Sequence, residues 1–257
     1  QVEDVSYGLR QSGGGATPLV SSESACSVLI PDNDSLGFTW TESDFVEDAS
    51  WINGTTPVGY DRNVTYIPII NTNVRTQMNA VNTTAYIRIP FTAPADIASQ
   101  TSFNLRMKYD DGYICYINGM PVAGQNDPNL ALEPDPSGAA ATGEHQDALA
   151  VVFEEESFGG ASAILNPGSD NVLAIHGLNR NLGSSDFLIE AELDVLSNGV
   201  LDRNTVEYFE TPTPGTSNGV GFPGVSVKAA LSPAGTTFTG NLLVSQTVVA
   251  PGATFRY

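Results

Sequence analysis

Apolar and polar residues alternate with a period of two along several stretches of this chain, and no long stretch shows the 3.6-residue stripe of a helix. Phe103, Leu105, Met107 and Tyr109 recur at every second position, as in a strand with one buried face. The same alternation predicts strands over 84–91 (TAYIRIPF) and 186–196 (DFLIEAELDVL). Shorter apolar runs predict strands over 25–31 (ACSVLIP), 113–117, 148–154 and 171–177 (NVLAIHG). Asp110-Asp111-Gly112 interrupts the run 101–122 (TSFNLRMKYDDGYICYINGMPV) and predicts a tight turn between paired strands, with glycine taking a positive φ. Asn118-Gly119 predicts a second turn. Residues 38–59 alternate poorly and read as loops and one short strand packed by Trp40, Phe45 and Trp51. Residues 126–146, rich in Pro, Gly, Ala and Asp, read as a long surface loop. About eight or nine strands between 24 and 197 without helices predict an all-β protein, a two-sheet jelly-roll sandwich with small flanking β segments.

The texture changes after 196. Residues 206–218 (VEYFETPTPGTSN) read as a short strand and a Pro-rich tail that cannot be helical. Residues 219–257 read as a truncated small β domain with strands near 225–230, 242–249 and 254–257. The expected organisation is 1–23 with 198–218 as flanking segments, 24–197 as the jelly roll, and 219–257 as the start of a further unit. A chain that stops in mid-strand is expected to be part of something longer, so further domains of the same polypeptide are expected partners.

Charge narrows the classes of partner. The chain of 257 residues carries 29 Asp and Glu against 10 Lys and Arg, a net charge of -19, which repels phosphate backbones and anionic lipid. Nucleic-acid partners are therefore not expected, and no apolar run approaches the ~20 residues of a membrane span. The acidity suits an extracellular or cell-surface setting, either as a solvated face or as carboxylate sites for calcium. Cys26 and Cys115 fit no zinc spacing; they read as two buried thiols, with a disulfide as the alternative.

Several motifs taken in order, WINGTTPVGYD, TAYIRIPF, LRMKYDDGYICYINGMPV, NVLAIHGLN and SSDFLIEAEL, resemble a galactose-binding-like jelly roll of the kind found in large secreted proteins of planctomycete and related bacteria. EDVSYGL and YFETPTPGTSN resemble the closing segments of a lamin-tail β domain into which the jelly roll is inserted. VSVKAALSPAGTTFTGNLLVSQTVVAPGATFRY resembles the start of a chitobiase-type C-terminal β domain. The resemblance implies non-catalytic attachment to a polysaccharide or glycan within a larger secreted protein, or a structural spacer or adhesion segment with no sugar site. Asp110-Asp111-Gly112 also resembles the paired-aspartate turn of flocculin-type sugar-binding domains, where the acids hold a Ca²⁺ that coordinates sugar hydroxyls.

A glycan site needs carboxylates and amides for hydroxyls and an aromatic face for the ring. The expected ligand-binding residues are Asp110, Asp111, Asn118, Asn179, Arg180, Asn181 and Asp186, with Tyr60, Tyr113 or Trp51 as platform. Trp51 could equally be buried under the sandwich, and Asn118 before Gly119 could be a turn former. For calcium, as the expected cofactor, the candidates are the acidic loop Asp44, Glu47 and Asp48 and, separately, the pair Asp110 and Asp111. Glu154, Glu155 and Glu156 read as an exposed charge run, and His176 as a core side chain. No G-x-S-x-G elbow, H-E-x-x-H pair or phosphate-cradling loop is present, so the chain is not expected to be an enzyme; a fragment of a secreted hydrolase, working with two carboxylates, is the remaining alternative.

Overall fold

The computed structural model describes residues 6–12, 15–96, 100–128, 137–197, 200–209, 230–232, 239 and 245–247. The chain divides into two compact units, Gly15–Asn198 and Gln1–Gly14 with Gly199–Tyr257. The larger unit is an all-β sandwich of jelly-roll type whose described residues also form the one-turn helices α1 (Arg75–Met78), α2 (Asp147–Ala150) and α3 (Ala161–Ile164) and a 3-10 turn at Thr39–Thr41.

Sheet one has the order β10 (Met120–Gln125), β9 (Gly112–Ile117), β12 (Asp170–Leu178), β7 (Thr84–Thr92), β3 (Ala25–Leu29) and β4 (Ile52–Thr55). Sheet two has the order β11 (Glu154–Gly159), β8 (Gln100–Asp110), β13 (Asp186–Ser197), β5 (Val58–Asp61) and β6 (Thr72–Asn73), with β2 (Gly15–Val20) paired to β13. The alternation read from sequence sets the inner faces. Phe103, Leu105, Met107 and Tyr109 of β8 meet Ile87, Ile89, Cys115, Ile117 and Ile175 of sheet one in the main core. On the outer face of β13, Glu190 lies opposite Lys108 and Glu192 opposite Arg106, in cross-strand ion pairs of 2.9 and 2.6 Å.

Sheet one is buried on its outer face as well, which is why its central strands read as near-continuous apolar runs. Residues 36–51 fold over it and pack Trp40 and Trp51 against Tyr86, Ile114 and Tyr116. Trp40 stacks on Tyr86 at 4.1 Å. Arg88, only 5% exposed, fastens this cover: its guanidinium donates to Glu47 Oε1 and to the carbonyls of Trp40 and Glu42. Cys26 and Cys115 are both free and buried, and burial pushes the Cys26 thiol up to about 12.

Several expectations change. Asp110-Asp111-Gly112 is no hairpin; it carries the chain from the end of β8 in sheet two to the start of β9 in sheet one. The inner faces of those strands oppose one another across the core, where Tyr109 and Tyr113 pack edge to face at 4.9 Å. Gly112 has no positive φ; it is small because an added Cβ would lie 2.9 Å from the carbonyl oxygen of Gln125. The strand expected over 148–154 is instead the one-turn helix α2 (Asp147–Ala150), and the glutamate run opens edge strand β11, whose Phe158 packs on Phe103 at 5.0 Å. An edge strand with one wet face tolerates the charges. Asn118-Gly119 does form a turn, with both φ angles positive, between β9 and β10.

The sandwich also begins earlier than 24, since Gly15–Val20 pairs with β13. In the smaller unit, β1 (Ser6–Ser12) pairs antiparallel with β14 (Val200–Phe209), so Ser6–Leu9 faces residues 206–209. Ala230–Ser232 (β15) pairs with Ser245–Thr247 (β16). The strand expected at 254–257, most of that at 225–230 and the Pro-rich tail lie outside the described residues.

Candidate functional site: an acidic recess at one end of the sandwich

Strand registers gather several loops at one end of the sandwich. Leu178 at the end of β12 lies opposite both Thr84, which opens β7, and Gly112, which opens β9. Asp110 at the end of β8 lies opposite Leu188, and Asp186 opens β13 opposite Asp61. Between these ends is an open, mainly polar recess of about 310 Å³, lined among others by Asp110, His145, Asp147, Arg180, Asn181 and Asp186. One carboxylate oxygen each from Asp110, Asp147 and Asp186 lies within 4.8 Å of the others.

Burial and charge make the cluster chemically unusual. Burial pushes the Asp110 carboxyl far above the usual carboxylate range, to about 8, and the charges of Asp111, Asp186 and Asp147 push the same way. A hydrogen bond from Tyr66 Oη to Asp110 Oδ2, 2.6 Å long, opposes the rise. Burial also raises Asp186, with Asp147 and Asp61 adding to it and the hydroxyls of Ser185 and Ser184 opposing. Tyr66 is itself seated by Asp61, whose Oδ2 accepts its backbone N–H at 2.9 Å.

Asp111 has a different task. Its Oδ1 accepts the backbone N–H of His145 at 3.1 Å and its Oδ2 that of Arg180 at 2.8 Å, so one carboxylate stitches two loops to the recess. His145 stacks on Tyr109 at 4.1 Å, with Nδ1 2.7 Å from the Tyr109 carbonyl and Nε2 3.1 Å from Glu154 Oε1.

The other residues singled out from sequence are distributed as follows. Asn181 and Arg180 line the recess and are exposed. Asn179 is buried behind it, donating to Tyr60 Oη and to the Asp186 carbonyl. Tyr60 is 1% exposed and packs on Phe187, so it offers no open face. Tyr113 and Trp51 are buried as well. Asn118 sits on the β9–β10 turn and bonds Asn171, the Ile164 carbonyl and the Val172 N–H. Asp44, Glu47 and Asp48 lie outside the carboxylate cluster. Glu47 pairs with Arg88 and Ser27, Asp48 holds the Ser50 turn, and Asp44 is exposed. His176 is a core side chain, 3.2 Å from Thr84 Oγ1, and burial lowers it to about 3. Asp147, Tyr66 and Asp61 escaped the sequence reading, because only the sandwich brings loops so far apart in the chain to one end.

No protein-family model and no curated protein matches the sequence. Among solved structures, the chain is similar to a β-glucuronidase of Bacteroides uniformis (15% identity, 70% of this chain, 18% of that chain, TM-score 0.43). A calcium-binding mutant of Bacteroides uniformis β-glucuronidase 2 gives 14%, 74%, 20% and 0.43 in the same order. A β-glucuronidase of Ruminococcus gnavus in complex with D-glucaro 1,5-lactone gives 11%, 74%, 30% and 0.42. The chain thus spans less than a third of each of these proteins, and the likeness concerns the β-sandwich alone. It lends nothing to the lamin-tail and chitobiase-type flanks. Among the described residues, no helix is long and apolar enough to cross a membrane.

The expectation of a non-catalytic module, not an enzyme, is corrected here. That reading rested on the missing catalytic motifs and took Asp110 and Asp186 only as ligands, whereas Asp110, Asp147 and Asp186 converge in one recess and burial raises the Asp110 carboxyl to about 8.

Proposed function

We propose that this chain is one part of a larger secreted glycoside hydrolase and that the acidic recess engages the glycan. The observation that carries the reading is the convergence of Asp110, Asp147 and Asp186 within 4.8 Å in an open polar recess. Glycosidic bonds are cleaved by two carboxyl groups in opposite protonation states, and a separation near ~5 Å corresponds to the retaining arrangement. Asp110, proton-bearing at neutral pH, would supply the proton to the leaving oxygen, with Tyr66 fixing its other oxygen. Asp186 or the exposed Asp147 would face the anomeric carbon as the ionised partner. Arg180 and Asn181 line the same recess and could orient hydroxyls. Asp111 would act by positioning both loops. The test is turnover of aryl glycosides by the polypeptide that carries this chain, compared with Asp186→Asn.

A second use of the same oxygens is calcium binding, favoured by their mutual distances. Carboxylate oxygens within 4.8 Å of one another can share a cation at about 2.3–2.6 Å, and Ca²⁺ takes further oxygens such as those of Asn181, Ser184 and Ser185. The donor set is all oxygen and fits a hard cation. A bound ion would neutralise the cluster and displace the Asp110 proton. A melting temperature raised by millimolar Ca²⁺ and restored by EDTA would support this use, and one indifferent to both would remove it.

A further inference from the structure

A second concavity opens at the same end of the sandwich, on sheet one. It measures about 570 Å³ and lies between the segment after β3, the segment before β4 and the segment before β7. Leu29 of β3 pairs with Tyr86, two residues beyond the Thr84 that faces Leu178, so the groove shares its end with the acidic recess.

Its floor is apolar, with Leu29, Leu36, Phe45, Trp51 and Ile52. Its rim is polar and, among the described residues, carries no cation: Asp32, Ser35, Asp48 and Gln77 contribute carboxylates, a hydroxyl and an amide. The rim acids are held in place from one side. Asp48 Oδ1 accepts the Ser50 N–H at 2.9 Å, and Asp32 Oδ1 accepts from Asn33 Nδ2. Each keeps a second oxygen for another donor. The Gln77 amide and the Ser35 hydroxyl have no protein partner among the described residues.

An apolar floor under a rim of acceptors and hydroxyls matches a molecule with one C–H face and an edge of hydroxyls. Two carboxylates without a cation, on a chain of net charge -19, exclude an anionic one. We infer that this groove holds an uncharged pyranose chain, several residues long, alongside the acidic recess. The inference rests on the hydrolase reading only for the choice of a glycan as the polymer.

Calorimetric titration of the protein with cellohexaose, laminarihexaose and mannohexaose, with hexagalacturonate as the anionic control, tests it. At least one neutral hexasaccharide should bind while hexagalacturonate does not. The double substitution Asp32→Ala with Gln77→Ala, both on exposed positions, should weaken binding about tenfold at unchanged melting temperature, as loss of two hydrogen bonds would. Absence of neutral binding, equal binding of hexagalacturonate, or binding indifferent to the double substitution would overturn the groove. Groove binding without any turnover would overturn the hydrolase reading alone.

Discussion

The phenolic hydroxyl of Tyr66 donates to Oδ2 of Asp110 across 2.6 Å, though 44 positions separate the two residues and both are buried. The bond joins the β5–β6 segment to the corner where the chain changes sheets, and fixes the carboxyl with the most displaced pKa in the recess. Replacing Tyr66 by Phe removes the donor and leaves the ring. The variant should lose about 1–2 kcal/mol in urea denaturation, and the Asp110 titration should move further upward.

The pH dependence of stability has a definite sign. A carboxyl whose folded pKa lies above its unfolded value holds its proton more tightly when folded. Its contribution is fully present below ~4 and lost as pH rises through the folded value. Asp110, raised to about 8, and Asp186, also raised, both act this way. His176, lowered to about 3, acts oppositely: its contribution is present above ~6.5 and declines as pH falls below that. Between pH 6.5 and 8.5 Asp110 acts without the histidine. The melting temperature, measured in EDTA, should therefore fall by about 2–4 °C or more across that window in the wild type and stay level in Asp110→Asn.

Asp111 carries a structural load that Asn can share and Ala cannot. Asp111→Ala strips the acceptors from the His145 and Arg180 N–H groups and should cost about 2–4 kcal/mol. Asp111→Asn retains one acceptor and should cost about half of that. Hydrogen exchange at the two amides reads the effect directly.

Arg88 plays the corresponding part under the aromatic cover. Arg88→Met leaves Glu47 and the carbonyls of Trp40 and Glu42 without their donor. About 3–5 kcal/mol should be lost, with a reduced near-ultraviolet circular dichroism signal from Trp40 and Trp51.

What the residues disclosed in advance follows from local periodicity. Phe103 to Tyr109 and Phe187 to Val195 alternate because one face is in the core and the other carries ion pairs, and that pattern survives in any register. The sheet change at Asp110 was hidden, because a tight turn and an inter-sheet corner both begin with polar residues and a glycine. The glutamates of β11 hid an edge strand for a related reason, since a wet face imposes no apolar pattern. Asp110 and Asp186 stood out as acids at strand ends. Asp147 did not, because it opens α2 just after His145, whose position is set by Asp111 rather than by the local sequence.

The central claim is that the Asp110, Asp147 and Asp186 cluster performs acid–base chemistry on a glycan. Its most direct test is the initial rate of 4-nitrophenyl glycoside hydrolysis by the polypeptide that carries this chain, wild type against Asp186→Asn, at matched melting temperature. The account predicts measurable turnover with retained anomeric configuration, reduced by about 10²–10⁴ in the variant. Equal rates in the two proteins, or no hydrolysis of any glycoside by either, would contradict it.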